Sequence, residues 1–269
     1  MDFLKIVKRR SFLHEFTYIA LNVALAVGLM FIVRYANSIW PAFFLLLLSK
    51  WRVLAVRPRY WFANIQSDLV SLIIGISFIV GLYNLNNASI GDVSLWVSQI
   101  LFTLAYIAWL LFLRPHAKQK YVIMQAGVAL FFGISTIYSI SYGWSASLVV
   151  LMVWLVGYAT ARHTLNSYEE EPHMVLLSLA WSLILIEIGW IAYHWTIAYR
   201  MPIINGILLP QVSIITLCFG FLSFKAYDSF VHHQKVRMQD ILLPLIFTIS
   251  IIAVLILAFN NVSISATNI

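Results

Sequence analysis

The chain has 269 residues, of which 62% are hydrophobic and only 10% are charged, and its mean hydropathy is +0.90. A soluble domain is about 45–50% apolar and about 25% charged, so the composition excludes a soluble globular protein. The single cysteine, Cys218, excludes a disulfide framework and a cysteine-rich metal site. The long, unbroken apolar runs predict an all-α, polytopic transmembrane helical bundle.

A helix needs about 20 apolar residues to cross the hydrocarbon core of a bilayer. The apolar segments predict one integral membrane domain over 1–269, with nine spans at about 16–34, 38–56, 69–85, 93–113, 121–139, 144–161, 174–198, 203–224 and 241–259. The second segment has the shortest apolar run, Phe43–Leu48. A re-entrant or interfacial helix at 38–56 is therefore the alternative, and it would leave eight spans.

The basic residues decide between these two topologies. With nine spans, Arg34 and Arg200 fall on one side of the membrane and all the other basic residues fall on the opposite side. The second group consists of Lys5, Lys8, Arg9, Arg10, Lys50, Arg52, Arg57, Arg59, Arg114, Lys118, Lys120, Arg162, Lys225, Lys235 and Arg237. With eight spans, the basic loops would be scattered over both faces. The positive-inside rule favours nine spans, with the N-terminus cytoplasmic, the C-terminus outside and a plasma (inner) membrane location.

The net charge of +7 is, on this topology, an excess of the inner face alone. Membrane insertion explains such an excess, and the loops are too short to hold a nucleic-acid-binding module, so no nucleic-acid partner is expected. The expected partner is the lipid bilayer, with anionic lipid at the inner face. Other membrane proteins or further copies of the chain remain open as partners. No residue pattern predicts a cofactor or a metal site.

Basic and aromatic residues alternate over 50–61, directly after the short apolar run. Both residue types favour the headgroup level of a bilayer, where they anchor helix ends and meet anionic lipid. The residues expected at this lipid-headgroup interface are Lys50, Arg52, Arg57, Arg59 and Trp61.

Glu187 is the only acidic residue expected at bilayer depth. An ionised carboxylate there costs about 2.5–3.5 kcal/mol on insertion scales, which pairing, water or protonation must offset. His194 follows two helical turns later on the same face. The functional interpretation is a proton- or cation-coupling acid or a polar substrate contact. The alternative is a protonated Glu187 bonded to a backbone carbonyl or to an amide on a neighbouring span.

Pro210 falls inside the predicted eighth span, where it would free the backbone carbonyl of Gly206 beside the amide of Gln211. A broken helix of this kind suits an ion or solute site. Glu187, His194, Pro210 and Gln211 are therefore the predicted path of a small-solute or lipid transporter-like protein. The alternatives are a structural or assembly subunit of a membrane complex and a membrane-embedded enzyme acting on lipid headgroups, with an enzyme the less favoured. No motif identifies a family.

Overall fold

The computed structural model describes residues 2–36, 38–51, 61–88, 91–115, 118–141, 143–168, 171–195, 197–200 and 208–258, with the backbone alone at 2–15, 61–64, 66–67, 200 and 258. Over these ranges the chain is almost entirely helical, which confirms the expected all-α bundle. The helices are α1 (Asp2–Ala36), α2 (Trp40–Ser49), α3 (Trp61–Asn86), α4 (Asp92–Ala108), α5 (Gln119–Ile140), α6 (Ala146–Leu165), α7 (Met174–His194), α8 (Gln211–His233) and α9 (Met238–Ala258). A π-helical turn (Trp109–Leu113) extends α4, and the short strands β1 (Ala198–Arg200) and β2 (Leu208–Pro210) pair antiparallel between α7 and α8.

Eight of the described helices, α1 and α3 to α9, are long and apolar enough to cross a membrane. The chain is therefore an integral membrane protein, as its composition predicts. In α1 the membrane-compatible part begins at Phe16, and in α4 it includes the π-helical turn up to Leu113. These positions lie within a few residues of the predicted spans except at the second and eighth.

The structure describes only residues 38–51 of the predicted span at 38–56, and in this part the helix ends at Ser49. α2 has ten residues, so it is about 15 Å long, half the thickness of the hydrocarbon core. The helix ends because its last turn tightens at Lys50, whose backbone N–H donates to the carbonyl of Leu47 at 2.9 Å. Residues 52–60 of the predicted span lie outside the described residues.

α2 nevertheless folds back along α1. Leu45 packs beside Gly28 in the middle of α1, and the amine of Lys50 reaches Asp68 in α3. Arg34, at the end of α1, donates a hydrogen bond to Gln99 near the start of α4, so those two helix ends lie together. Because α3 spans the bundle, the chain must return between α1 and α3. α1 and α3 therefore run in the same direction, as the nine-span topology predicts. The structure describes eight long helices, and the short helix α2 lies between the first two of them.

The two ends of the bundle differ in charge. At one end α5, α7 and α9 begin and α4, α6 and α8 end, and we call it the basic end. The basic residues in or beside its described loops are Arg114, Lys118, Lys120, Arg162, Lys235 and Arg237. At the other end, which we call the opposite end, Arg34 closes α1 and Arg200 ends β1. The charge asymmetry expected from the sequence is therefore present between the two ends.

Arg34 joins α1 to α4 at the opposite end. Its guanidinium lies 3.7 Å from the ring centroid of Trp96 and donates to Gln99 Oε1 at 2.7 Å. We expect Arg34→Met to lower the free energy of unfolding by about 1–2 kcal/mol, because it removes a cation–π contact and leaves Gln99 without its donor. Steric trapping in bicelles measures this difference. An unchanged free energy would show that this contact contributes nothing to stability.

Candidate functional site

Glu187 lies on the outer surface of α7. The helix ends seven residues later at His194, so Glu187 is about 10.5 Å from the opposite end and within the depth of the bilayer core. Its side chain is exposed, and Leu183 and Ile191, one turn away on either side, are 58% and 57% exposed. No hydrogen bond or ion pair links Glu187 to another described residue. The carboxylate therefore faces away from the bundle.

His194 shares this outward position, as its spacing from Glu187 predicts. Its imidazole Nδ1 lies 2.9 Å from the carbonyl oxygen of Trp190, and its ring packs against Trp190 at 4.8 Å between centroids. The side chain is exposed. His194 thus lies against the last turn of its own helix rather than lining the bundle interior.

The prediction that Pro210 lies inside a helix is wrong. The predicted start of the eighth span at 203 is also wrong, since the helix α8 begins at Gln211. Pro210 ends β2, pairs in register with Ala198, and precedes the first residue of α8 with φ −63° and ψ 136°. Proline suits this position because it has no N–H to satisfy and its φ is already near −65°. The strand pairing also ends α7 at His194, before the predicted 198. Gly206 lies outside the described residues.

Gln211 is buried at the first turn of α8, whereas Glu187 and His194 are exposed on α7. Its backbone N–H donates to the carbonyl of Ile197 at 2.8 Å. Its side-chain Nε2 and the hydroxyl of fully buried Ser213 have no hydrogen-bond partner in the described part of the chain. The structure thus separates the four predicted path residues into an exposed pair on α7 and a buried pair where β2 meets α8.

The side chain of Lys50 is buried inside the bundle rather than exposed to lipid headgroups, contrary to expectation. It is 9% exposed, and its amine lies 3.0 Å from Asp68 Oδ1 and 2.6 Å from Ser71 Oγ, both on α3. An acid and a hydroxyl on the neighbouring helix therefore hold the amine inside the bundle. Arg52, Arg57 and Arg59 lie outside the described residues. Trp61 begins α3, and only its backbone is described.

A cavity of about 530 Å³ lies between α5, α6, α7 and α8, in the half of the bundle toward the basic end. We call it the lipid-facing groove. Its lining is almost wholly apolar, and includes Met124, Leu130, Trp181, Ile184, Leu217 and Phe221. The hydroxyls of Thr160 and Thr164 donate to carbonyls of their own helix at 2.9 and 3.0 Å, so they offer the groove no free donor. The interior of the groove therefore resembles hydrocarbon.

Small residues form part of the lining of this groove. The groove is lined by Gly127 on α5, Ala161 on α6 and Gly220 on α8. At its margin, Met124, Ile184 and Phe221 are 46%, 47% and 44% exposed. The groove thus opens sideways, toward the region that lipid would occupy.

The groove has a polar and charged margin at the basic end. The hydroxyl of Tyr227, which lines the groove, donates to the carboxylate of Glu171, and that of Tyr168 donates to Asp228 at 3.2 Å. Burial, and then the neighbouring Asp228, raise the pKa of Tyr168 well above its usual value, so it stays a neutral donor.

Two lysines extend this margin. Lys120 precedes Met124 by one helical turn on α5, and Lys225 follows Phe221 by one turn on α8. The groove is therefore apolar along its length, and its margin at the basic end carries both lysines (Lys120 and Lys225) and carboxylates (Glu171 and Asp228).

The histidines near the basic end do not form a cluster in the described part of the chain. His232 lies 3.6 Å from Asp228 and His233 lies 3.6 Å from Asp240, as two separate pairs. No three His, Cys, Asp or Glu side chains among the described residues could hold one metal ion. His116 is outside the described ranges.

The groove is the main feature that the sequence did not predict. It depends on which four helices become neighbours, and hydropathy does not carry that information. The glycines at 127 and 220 were the available signal, because small residues mark close approach or open space between membrane helices. Comparisons with protein-family models, with curated proteins and with solved structures find no match to this chain.

Proposed function

We propose that this protein is a lipid-handling membrane protein that holds the acyl chain of a membrane lipid in the lipid-facing groove. The observation that carries the proposal is an apolar cavity of about 530 Å³ that opens sideways at bilayer depth. Pockets for small molecules usually have volumes of about 300–1,000 Å³ and mostly apolar walls. A polar solute would find few partners here, because the threonine hydroxyls along the groove are already bonded to their own helix.

The charged margin at the groove's end supports a phospholipid in particular, because a phospholipid headgroup can meet both its lysines and its carboxylates. Lys120 and Lys225 carry positive charge beside the apolar groove, at the level where a phosphate would lie if the acyl chain lay along it. With the positive-inside rule, the basic end is cytoplasmic, and the bound lipid belongs to the inner leaflet of a plasma (inner) membrane. The N-terminus is then cytoplasmic and the C-terminus outside.

Of the alternatives raised by the sequence, a subunit of a membrane complex is favoured by one observation, the outward-facing carboxylate of Glu187. A solute transporter loses support because Glu187 and His194 are exposed whereas Pro210 and Gln211 are buried elsewhere. The groove therefore carries the first proposal, and Glu187 is considered separately below.

Photo-crosslinking with a lipid that carries a diazirine in its acyl chain tests the proposal. The lipid is a phosphatidylglycerol with the diazirine in one acyl chain, mixed into vesicles that contain the protein. We expect the label on those peptides of α5, α6, α7 and α8 whose residues line the groove. Ala161→Phe fills the groove from α6, and should reduce this labelling by about tenfold because the ring occupies the space of the chain.

Ala146→Phe is the matched control. Ala146 is also a small residue of α6, and lines a separate surface cavity of about 560 Å³ beside Ile186 and Trp190. The control should leave the groove labelling unchanged. Equal labelling in Ala161→Phe and wild type, or label spread evenly over all outward faces, would refute a specific acyl-chain site. Lys120→Gln with Lys225→Gln should weaken labelling by phosphatidylglycerol more than by phosphatidylcholine.

A further inference from the structure

Glu187 places a carboxylate on the outside of the bundle at bilayer depth, with no cation beside it in the described part of the chain. A charged group in hydrocarbon is costly, and a glutamate about 10.5 Å from the helix end is too far in to extend to the interface. We propose that the outer face of α7 around Glu187 binds a transmembrane helix of a second protein that carries a Lys or Arg at the same depth. This inference is independent of the lipid-facing groove.

The lysines whose side chains the structure describes inside the helices do not lie beside Glu187. Lys50 is buried and engaged by Asp68 and Ser71. Lys225 lies within α8 one turn before Ser229, which bonds Asp240 at the start of α9, so it is near the basic end. Glu187 lies in the half toward the opposite end. Neither lysine is at the right depth and exposed on the same side of the bundle.

A second copy of the chain does not meet the need either. Two copies inserted in one membrane have the same orientation, so every residue keeps its own depth, and a two-fold contact centred on this face of α7 would bring Glu187 opposite its own equivalent. Lys225 of the second copy would stay at the depth of the basic end. Two like charges would then face each other in a medium of low dielectric constant. Charge complementarity therefore requires a different protein.

The surface around Glu187 has the pattern of a helix-docking face. Ala180, Leu183, Glu187 and Ile191 follow at intervals of three and four residues, and all four are exposed. Residues at this spacing form one stripe along a helix, and the small Ala180 permits close approach. This stripe is distinct from the buried face of α7, which includes Ser178 and Ser182.

A designed probe helix tests this proposal without knowledge of the natural partner. The probe is a single-span Leu/Ala peptide, labelled for energy transfer, with one Lys at the depth of Glu187, and the reference probe has Leu there. In vesicles we expect the full-length protein to bind the Lys probe about tenfold more tightly than the Leu probe. Glu187→Gln should remove this difference, whereas Leu183→Gln, on the same face, should preserve it.

A charge exchange keeps the test decisive if Glu187→Gln alters the fold. Glu187→Lys should bind the Lys probe more weakly than wild type does, and should bind a probe with Asp at the same position more tightly than the Leu probe by a similar factor. The proposal is overturned if Lys and Leu probes bind alike, if binding survives Glu187→Gln unchanged, or if labelled copies of the protein pair with each other through α7 and exclude the probe.

Discussion

We expect Lys50→Met to lower the free energy of unfolding by about 2–4 kcal/mol, because it leaves the Asp68 carboxylate without its cation. The amine is 3.0 Å from Asp68 Oδ1 and also donates to Ser71 at 2.6 Å. Breaking a fully buried ion pair costs about 3–5 kcal/mol. The lower range applies here since the Asp68 side chain keeps 26% exposure and can regain some solvation.

The pair also fixes the position of α2. α2 is too short to span, and apart from its apolar contacts through Leu45 and Leu46, the ion pair ties its C-terminal end to α3. Loss of the amine should therefore loosen α2 in particular. Hydrogen exchange of the α2 backbone amides should rise more than exchange in α6 and α7, which do not contact Lys50.

A double-mutant cycle separates the ion pair from packing. Lys50→Met combined with Asp68→Asn removes both charges, and should recover much of the lost free energy because no buried charge remains. Lys120→Met is the matched control, since Lys120 is exposed, and should change stability by less than about 0.5 kcal/mol. Steric trapping in bicelles gives the free energy of unfolding of wild type, Lys50→Met, Asp68→Asn, the double variant and the Lys120→Met control. A loss in the double variant equal to the sum of the losses in Lys50→Met and Asp68→Asn would mean that the ion pair contributes no coupling energy.

The sequence predicted the long spans well because a run of about 20 apolar residues leaves few alternatives to a membrane helix. It misplaced Lys50, since burial of that amine depends on Asp68 and Ser71, eighteen and twenty-one residues later. It misplaced Pro210 because the residues before it are apolar, and an apolar segment is compatible with both a membrane helix and an extended strand. The pairing of Ala198 with Pro210 is a contact between segments, which local propensity does not contain.

The depth of Glu187 was predictable, but its direction was not predicted. α7 is apolar on every side, so hydrophobic periodicity does not distinguish a buried face from a lipid-exposed one. The buried residues of this helix are Ser178, Ser182, Leu185 and Gly189. Three of these are small, and small residues mark helix contacts in membranes. This signal places Glu187 away from the contact face, and it was available in the sequence.

Small residues also mark the contact between α6 and α7, where we expect the second large loss in the free energy of unfolding. A Cβ atom on Gly157 would lie 2.8 Å from Leu185 Cδ1 and 3.2 Å from the backbone Cα of Ser182. Leu185 can change rotamer, but the backbone at Ser182 can move only if α7 moves. We expect Gly157→Leu to lower the free energy of unfolding by about 3 kcal/mol, because it forces apart two closely packed helices.

Gly127→Leu is the matched control, with the same substitution on a helix of similar length. A Cβ there would lie 3.7 Å from Leu217, an ordinary contact, and the rest of the side chain can enter the lipid-facing groove of about 530 Å³. Because Gly127 also lies within helix α5, replacement of glycine by leucine gains helix propensity, and the net change should stay within about 1 kcal/mol.

The two substitutions together test whether the groove is open space. If Gly157→Leu is destabilising and Gly127→Leu is not, α6 and α7 pack closely and the space beside Gly127 accommodates added hydrocarbon. Gly127→Leu should then also reduce acyl-chain labelling while leaving the melting temperature nearly unchanged. Equal destabilisation by both substitutions would instead mean that the helices around Gly127 are closed against each other, and the proposed lipid site would be lost with the groove.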